Sequence, residues 1–488
     1  MGQNRQMKHD LGMQIDNGMG MELQVGTGLE AARWARAQWG TCQLGDRRRT
    51  ARAVAMGAAM AEHPNWSLPA QMGSRGATKG AYGLLNNGCV TAEALWQPHF
   101  EATRAAANRA GVLLMIQDRT TLDYTAHASK REVGSVGSRR QRGLLLHSTL
   151  AVVAETKQVL GLAHAQVIQR LDEPGPKPSH AQRASGPEGQ AWETAVKAIG
   201  PAPAGAKWLY VSDRESDIYD YLATCQDAGA GYVVRAFHDR TVQWGPGGRE
   251  SGKLMPRVRS VLPKSGPRHT YTVTVPTTKQ APQRQATVVL SWCRVLFPPS
   301  SCARGLKDSA PLQVWVVRAW EESPPPGAKR VEWILLTSEP VTNATQATQV
   351  VEWYTCRWLI EDYHMCLKTG CRVETSQLDS GHDVRRLLGF HAALAVRLLQ
   401  LRQAVRLAPH RPAIEVIDPL WVQLLTARQK RSREMTVAQF WQAVAQLGGH
   451  QGRKSDGAPG WRTLWRGWLT LQDYAVGARL FSSVIADS

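Results

Sequence analysis

Apolar and polar positions along the chain change their spacing twice. From residue 29 to about 105 the spacing is helical. LEAARWARAQWG repeats apolar residues every three or four positions, and LGDRRRTARAVAMGAAMAEH follows, with Asp46 as an N-cap and Arg47, Arg48, Arg49 and Arg52 in the opening turns. From 112 short apolar runs take over. VLLMIQD, LLLHSTLAVVAE and VLGLAHAQVI read as strands, the last two joined by a turn around Thr156 and Lys157. A Pro-rich loop (LDEPGPKPSHAQRASGPEG) precedes a helix around AWETAVKAIG. WLYVSD then reads as a strand, ESDIYDYLATCQDAG as a helix and GYVVRAF as a strand. Between about 238 and 330 the chain is polar and β-rich, with strands in HTYTVTVP, TVVLSWCRVLF and LQVWVVRAW and linkers in PPSSC and ESPPPGAKR. EWILLTSEPV returns to a buried strand. After about 385 the spacing is helical again, in VRRLLGFHAALAVRLLQLRQAVRL, TVAQFWQAVAQLGG and WRTLWRGWLTLQ. The order predicts a multidomain α/β chain with helical ends.

Length and charge sharpen this. A chain of 488 residues exceeds one ordinary domain, and 43% hydrophobic residues suffice for real cores. The formal charge of +19, from 59 Lys and Arg against 40 Asp and Glu, calls for a polyanionic partner. Nucleic acid comes first; a ribosome-associated or heparin-like binder is the plainer alternative. The 8 cysteines contain no C-x-x-C pair, and Cys366 falls on an apolar helix face, so His364, Cys366 and Cys371 are not read as a zinc site. Reduced thiols and a cytoplasmic setting are expected. No run of about 18 apolar residues is present, so no membrane span is expected. Residues 1–28 lack a continuous apolar segment and read as a flexible leader rather than a signal peptide.

The candidate chemistry gathers around YTCRWLIEDYHMCLKTG, residues 354–370. At 100° per residue, Tyr354, Arg357, Glu361 and Lys368 of one helix fall within about 60° of each other. Cys356, Leu359, Ile360, Tyr363, Cys366 and Leu367 take the opposite, apolar side. Asp118 and Asp213 both close apolar strand-like runs. Alone, each is an ordinary turn-former or cap, and Glu361 could merely pair with Arg357 on an exposed helix, worth a few tenths of a kcal/mol. Together the three carboxylates suit a divalent cation, Mg²⁺ first with Mn²⁺ as a substitute. Two such ions can activate a water or a 3′-hydroxyl and stabilise a leaving oxygen. Tyr354, Arg357 and Lys368 would then hold a phosphodiester against them.

The spacing Tyr354-x-x-Arg357-x-x-x-Glu361, followed by Lys368, resembles the Y-R-E-K signature of bacterial cut-and-paste DDE transposases of the insertion-sequence-four family. The likeness extends through LGDRRRTAR, QDRTTLDY, SDRESDIYDYL, EWILLTSEPV, AVRLLQLR and LWRGWLTLQ. It implies an RNase H-like catalytic core over 106–385, interrupted by a β-rich insertion at 238–330. It also implies a helical DNA-end-binding domain at 29–105 and a helical dimerisation domain at 386–488. Asp118, Asp213 and Glu361 would bind the catalytic metals. Arg235 matches a family arginine near the cut end, and Trp333 a tryptophan that stacks on a base flipped out during hairpin formation; by pattern alone Trp333 reads as a core aromatic. Arg48, Arg49 and Arg52 match basic residues of the end-binding domain. The partners implied are double-stranded DNA and a second copy of the chain.

Two departures stand out. Phe237 and Met365 occupy positions where the nearest family member carries lysines, and Arg139, Arg140 and Arg142 are candidates to replace the lost phosphate contacts. Trp461, Trp465 and Trp468 form one helical stripe with Leu464 and Leu471, ended by Gln472. It reads either as the surface that pairs two subunits or as an intramolecular seam. A catalytically weak or inactive DNA-binding regulator and a nuclease without strand transfer are the competing functional readings.

Overall fold

The computed structural model describes residues 28–108, 111–137, 141–170, 186–261, 269–275, 284–299, 309–430, 434–453, 456 and 459–486. The leader, Arg139, Arg140 and most of the Pro-rich loop lie outside the described residues. The chain divides into two compact units, one over Gly28–Leu407 and the other from Ala408 onward.

The first unit opens with helices Gly28–Trp39, Arg47–Glu62, Leu68–Met72, Arg75–Leu85 and Ala92–Ala107. Asp46 is the N-cap expected, its carboxylate accepting the Arg48 backbone N–H at 2.8 Å. Trp39, Met56, Met60, Leu84, Leu85 and Trp96 form the core of this layer. Gly57 is required there: a Cβ on it would stand 2.1 Å from the Trp39 ring. The layer docks on the long helix Gly381–Leu407, where Trp96 Nε1 donates to the Leu388 carbonyl at 3.0 Å and the Arg386 guanidinium donates to the carbonyls of Leu85 and Val90 at 2.8 and 2.7 Å.

The central sheet has twelve strands among the described residues. β1 (Gly111–Asp123), β3 (Arg142–Val153) and β4 (Val159–Ile168) form an antiparallel meander, with the two-residue β2 (Gly134–Ser135) at the near end of β3. Lys157 makes the β3–β4 turn with φ 61. β5 (Ala206–Ser212) and β6 (Gly231–Arg235) then add in parallel beside β1. The crossover from β4 to β5 runs through the helix Pro187–Ile199, and that from β5 to β6 through Tyr219–Asp227. This mixed sheet between helical layers suits the RNase H-like core expected.

The β-rich insertion does not stand apart. β7 (Thr241–Trp244), β8 (Glu250–Lys253), β9 (Thr270–Val275), β10 (Arg284–Phe297) and β11 (Leu312–Trp320) lead to β12 (Glu332–Thr337). β12 pairs antiparallel with both β6 and β11, so β10 and β11 continue the same sheet. Trp192, Trp208, Tyr210, Tyr221, Tyr232 and Phe297 fill one continuous core beneath it.

Two local expectations are corrected. β1 does not end at Asp118. Its antiparallel partner β3 carries it on, with Asp118 opposite Ser148 and Asp123 opposite Gly143. Nor do residues 354–370 form one helix. Tyr354 belongs to Ala344–Thr355, Glu361 to Trp358–Met365 and Lys368 to a π-turn, Cys366–Gly370, with Arg357 at the first junction. The apolar side is buried as read: Ile360, Tyr363, Cys366 and Leu367 are each 0% exposed.

The position proposed as a domain boundary, residue 385, falls inside Gly381–Leu407, a helix that stays whole within the first unit. The second unit holds helices Pro419–Arg428, Val437–Leu447 and Trp461–Ala486, the middle one with a capping box from Thr436 and Gln439. Trp468 stacks on Trp441 at 5.4 Å and meets Trp421 edge-on at 4.5 Å. Leu464, Trp465, Leu471 and Gln472 are buried beside it. The stripe is therefore a seam inside its own unit, and Gln472 does not end it. Among the described residues no helix is long and apolar enough to cross a membrane.

Candidate active site

β1 and β5 share their last parallel rung at Ile116 opposite Val211. Asp118 and Asp213 each lie two residues beyond that rung, so adjacent strands deliver both carboxylates to one end of the sheet. Asp118 is 8% exposed, and its Oδ1 accepts the Arg119 N–H at 2.7 Å. Asp213 caps the 3₁₀ turn Arg214–Ser216, accepting the Glu215 N–H at 2.8 Å. The Asp118 carboxyl is pushed up to about 7, first by burial and then by the charges of Asp213 and Glu361; Arg357 and the Arg119 N–H pull the other way.

Glu361 reaches the same place from the helix Trp358–Met365. Arg357 Nη1 bridges the two acids, 3.3 Å from Asp118 Oδ2 and 3.2 Å from Glu361 Oε1. One turn beyond Glu361, a ring nitrogen of His364 lies within 4.8 Å of a carboxylate oxygen of each acid. Burial, then Lys368 and Arg357, hold the imidazole pKa down at about 3, so the ring is neutral. A buried acid whose pKa is raised in part by two neighbouring acids fits a divalent cation, which would replace repulsion by coordination. Asp118, Glu361 and His364 can offer ligand atoms to one ion, and Asp213 stands close enough to be felt by Asp118.

The flanking residues separate into two groups. Tyr354 is buried and its ring meets half-buried Trp333 edge-on at 5.3 Å. Arg235, ending β6, donates to the Glu332 carbonyl at 3.2 Å and holds the Tyr354 phenol through a hydrogen bond. Lys368 goes elsewhere: its ammonium pairs with Glu374 at 3.4 Å. Phe237 is 49% exposed and Met365 37%. The Arg214 guanidinium lies 6.0 Å over the Phe237 ring, which puts a cation beside the place of the missing lysine. Arg142 is not available as a substitute, because it donates to the carbonyls of Ala128 and Lys130.

In the helical layer Arg48, Arg49, Arg52 and Lys79 line an open cavity floored by Gly76, Gly80 and Gly83. Arg49 is also tied to the Leu44 carbonyl at 2.9 Å. A Cβ on Gly80 would fall 1.8 Å from Arg52 Nη1, so the glycine gives that guanidinium its room.

Sequence reasoning missed three participants. Lys79 was hidden in a Gly-rich helix and Arg119 beside a more conspicuous aspartate. Arg119 pairs with Glu188 at 3.0 Å and Glu215 at 2.6 Å, tying the strand after Asp118 to the turn after Asp213. His364 was weighed with cysteines, while the signal that finds it is Glu361-x-x-His364, an i,i+3 pair that turns two ligands to one side of a helix.

A basic helical layer joined to a sheet that gathers carboxylates at one strand end defines a class of proteins that bind and process polynucleotides. Residues 31–90 match the transposase DNA-binding family, and residues 181–397 match the transposase DDE domain family. Two stretches of the chain are thus similar to the DNA-binding and DDE domain families of transposases. The second match spans Asp213 and Glu361 and begins beyond Asp118.

Proposed function

We propose that this chain is a cut-and-paste transposase of the insertion-sequence-four family, similar in kind to the transposase of transposon five. The helical layer at 29–105 holds the element's ends, the sheet and the helices around it up to Leu407 cut and join, and the C-terminal unit from Ala408 serves a homodimer that brings two ends together. The observation that carries the reading is the pair Asp118 and Asp213, two residues beyond a shared rung on parallel strands, with Glu361 linked to Asp118 through Arg357.

Asp118, Asp213 and Glu361 hold the metal ions, Mg²⁺ or Mn²⁺. When bound, the ions activate the attacking oxygen and stabilise the leaving one. Arg357, and Lys368 on leaving its partner Glu374, would grip the scissile phosphate, and Tyr354 and Arg235 would fix the strand beside it. Trp333 offers a stacking face to a base turned out of the duplex after the first nick, so release proceeds through a hairpin, and the freed 3′ ends then join target DNA.

The test uses end-labelled duplexes carrying the inverted repeats that flank the coding region, with Mg²⁺ and the full chain. Nicked, hairpin and released products on denaturing gels are expected. Binding of those ends with no strand cleavage would return the chain to a DNA-binding regulator.

A further inference from the structure

We infer that His364 is a direct ligand of one catalytic metal ion, making the site a mixed carboxylate–imidazole centre. The inference rests on the reading of Asp118 and Glu361 as metal-holding residues and adds a nitrogen donor to them.

Three observations converge. A ring nitrogen of His364 and one oxygen each of Asp118 and Glu361 lie within 4.8 Å of one another. Ligands about 2.1 Å from a common ion stand roughly 3 to 4 Å apart, so a small closure completes the set. His364 is 5% exposed, yet its Nε2 has no hydrogen-bond partner. A buried ring nitrogen in that condition costs stability unless something is bound to it. Third, the backbone is built to present it. His364 follows Glu361 by three positions on one helix, so both side chains leave on the same side. The helix then widens into the π-turn Cys366–Gly370, closed by the Cys371 N–H on the Cys366 carbonyl at 2.9 Å. Such one-turn widenings shift the following side chains around the axis. Here Lys368, on that turn, pairs with Glu374 and not with Asp118 or Glu361.

The donor set decides the ion. Oxygen-only sites suit Mg²⁺; an imidazole shifts preference toward Mn²⁺ and other first-row ions. The chain is therefore expected to bind Mn²⁺ well over tenfold more tightly than Mg²⁺ at this position.

The experiment is pulsed electron paramagnetic resonance of Mn²⁺ bound to the full chain with an end duplex. Nitrogen hyperfine coupling from one imidazole is expected. His364→Gln, which keeps an oxygen donor of similar size, should abolish the coupling, weaken Mn²⁺ at least about tenfold and narrow the preference over Mg²⁺. Circular dichroism checks that the variant folds; His364→Asn is the second variant if it does not. An unaltered Mn²⁺ spectrum in a folded variant overturns the inference, as does Mn²⁺ bound without nitrogen coupling or no Mn²⁺ bound at all. Cleavage that persists with an oxygen-only Mn²⁺ spectrum removes His364 and leaves the transposase reading intact. Nitrogen coupling in a chain that cuts no DNA does the reverse.

Discussion

Arg357 and Asp118 are 239 positions apart in the chain, and their side chains meet at 3.3 Å. The same guanidinium nitrogen touches Glu361, so one cation holds the acids together. Removing it should leave the buried Asp118 carboxylate without its counter-charge and facing the exposed Glu361. Arg357→Ala is predicted to lose about 2 to 4 kcal/mol of unfolding free energy at pH 8 in EDTA, and less at pH 5, where Asp118 is protonated. Mn²⁺ should restore more stability to this variant than to wild type. Urea unfolding with and without metal checks it; equal metal shifts would detach Arg357 from the metal site.

Asp118 makes a second prediction about pH. Its pKa rises from 3.8 to about 7 in the folded chain. Between those values the folded state holds a proton that the unfolded state has released, so this contribution is complete below about pH 4 and is lost as pH rises through 7. Asp118→Asn should therefore be more stable than wild type at pH 8, by about 1 to 3 kcal/mol, with no gain at pH 4. A pH series of denaturant midpoints without metal decides it. Greater stability together with abolished nicking would mark the site as bought at a cost to the fold.

End binding should be strongly salt-dependent. Ala at Arg48, Arg49 and Arg52 together is predicted to flatten the slope of log affinity against log salt by about 2 to 3. Lys79→Ala, on the other wall of that cavity, should remove close to 1 more. Slopes come from gel shifts at four salt concentrations, and an unchanged slope would move the DNA surface elsewhere.

Trp333 and Glu361 should fail at different steps. Glu361→Gln keeps shape and loses charge, so it should abolish even the first nick. Trp333 has only a face to offer, worth about 1 to 3 kcal/mol per stacked base. Trp333→Ala should nick and then stall before the hairpin. Equal loss of nick and hairpin would make Trp333 a support for Tyr354, whose ring it touches.

Trp468 is predicted to act through packing alone. It is 3% exposed between Trp421 and Trp441, and Trp468→Ala should destabilise the C-terminal unit by about 3 to 5 kcal/mol. A folded, equally stable variant that no longer forms paired-end complexes would restore the stripe as a subunit contact.

Which of these features could be read from sequence follows from how local their causes are. Asp46 was legible because a cap is decided within three residues. The strand before Asp213 was legible because its apolar run stops where its pairing stops. Asp118 looked identical but is not a strand end: β3, supplied from twenty-five and more residues onward, continues the ladder past it, and the apolar pattern cannot report a partner that distant. The face shared by Tyr354, Arg357, Glu361 and Lys368 assumed 100° per residue throughout. The break at Arg357 and the wide turn at Cys366 redirect the two outer residues, and neither carries a Pro or Gly signal at the point of change. The insertion was legible as β-rich, while its merger with the main sheet depends on β12 choosing β6, a pairing across a hundred residues.

The helix Gly381–Leu407 has a mechanical consequence. At 27 residues it is a rod of about 40 Å. Its early turns are bonded to the DNA-binding layer through Leu388, Gly389 and Arg386. Its late turns are bonded to β4 through Gln400 and Gln403, and to the neighbour of Glu361 through the Arg402–Asp362 pair. A single strut thus ties the first layer to the helix that bears the third acid, with no loop between them.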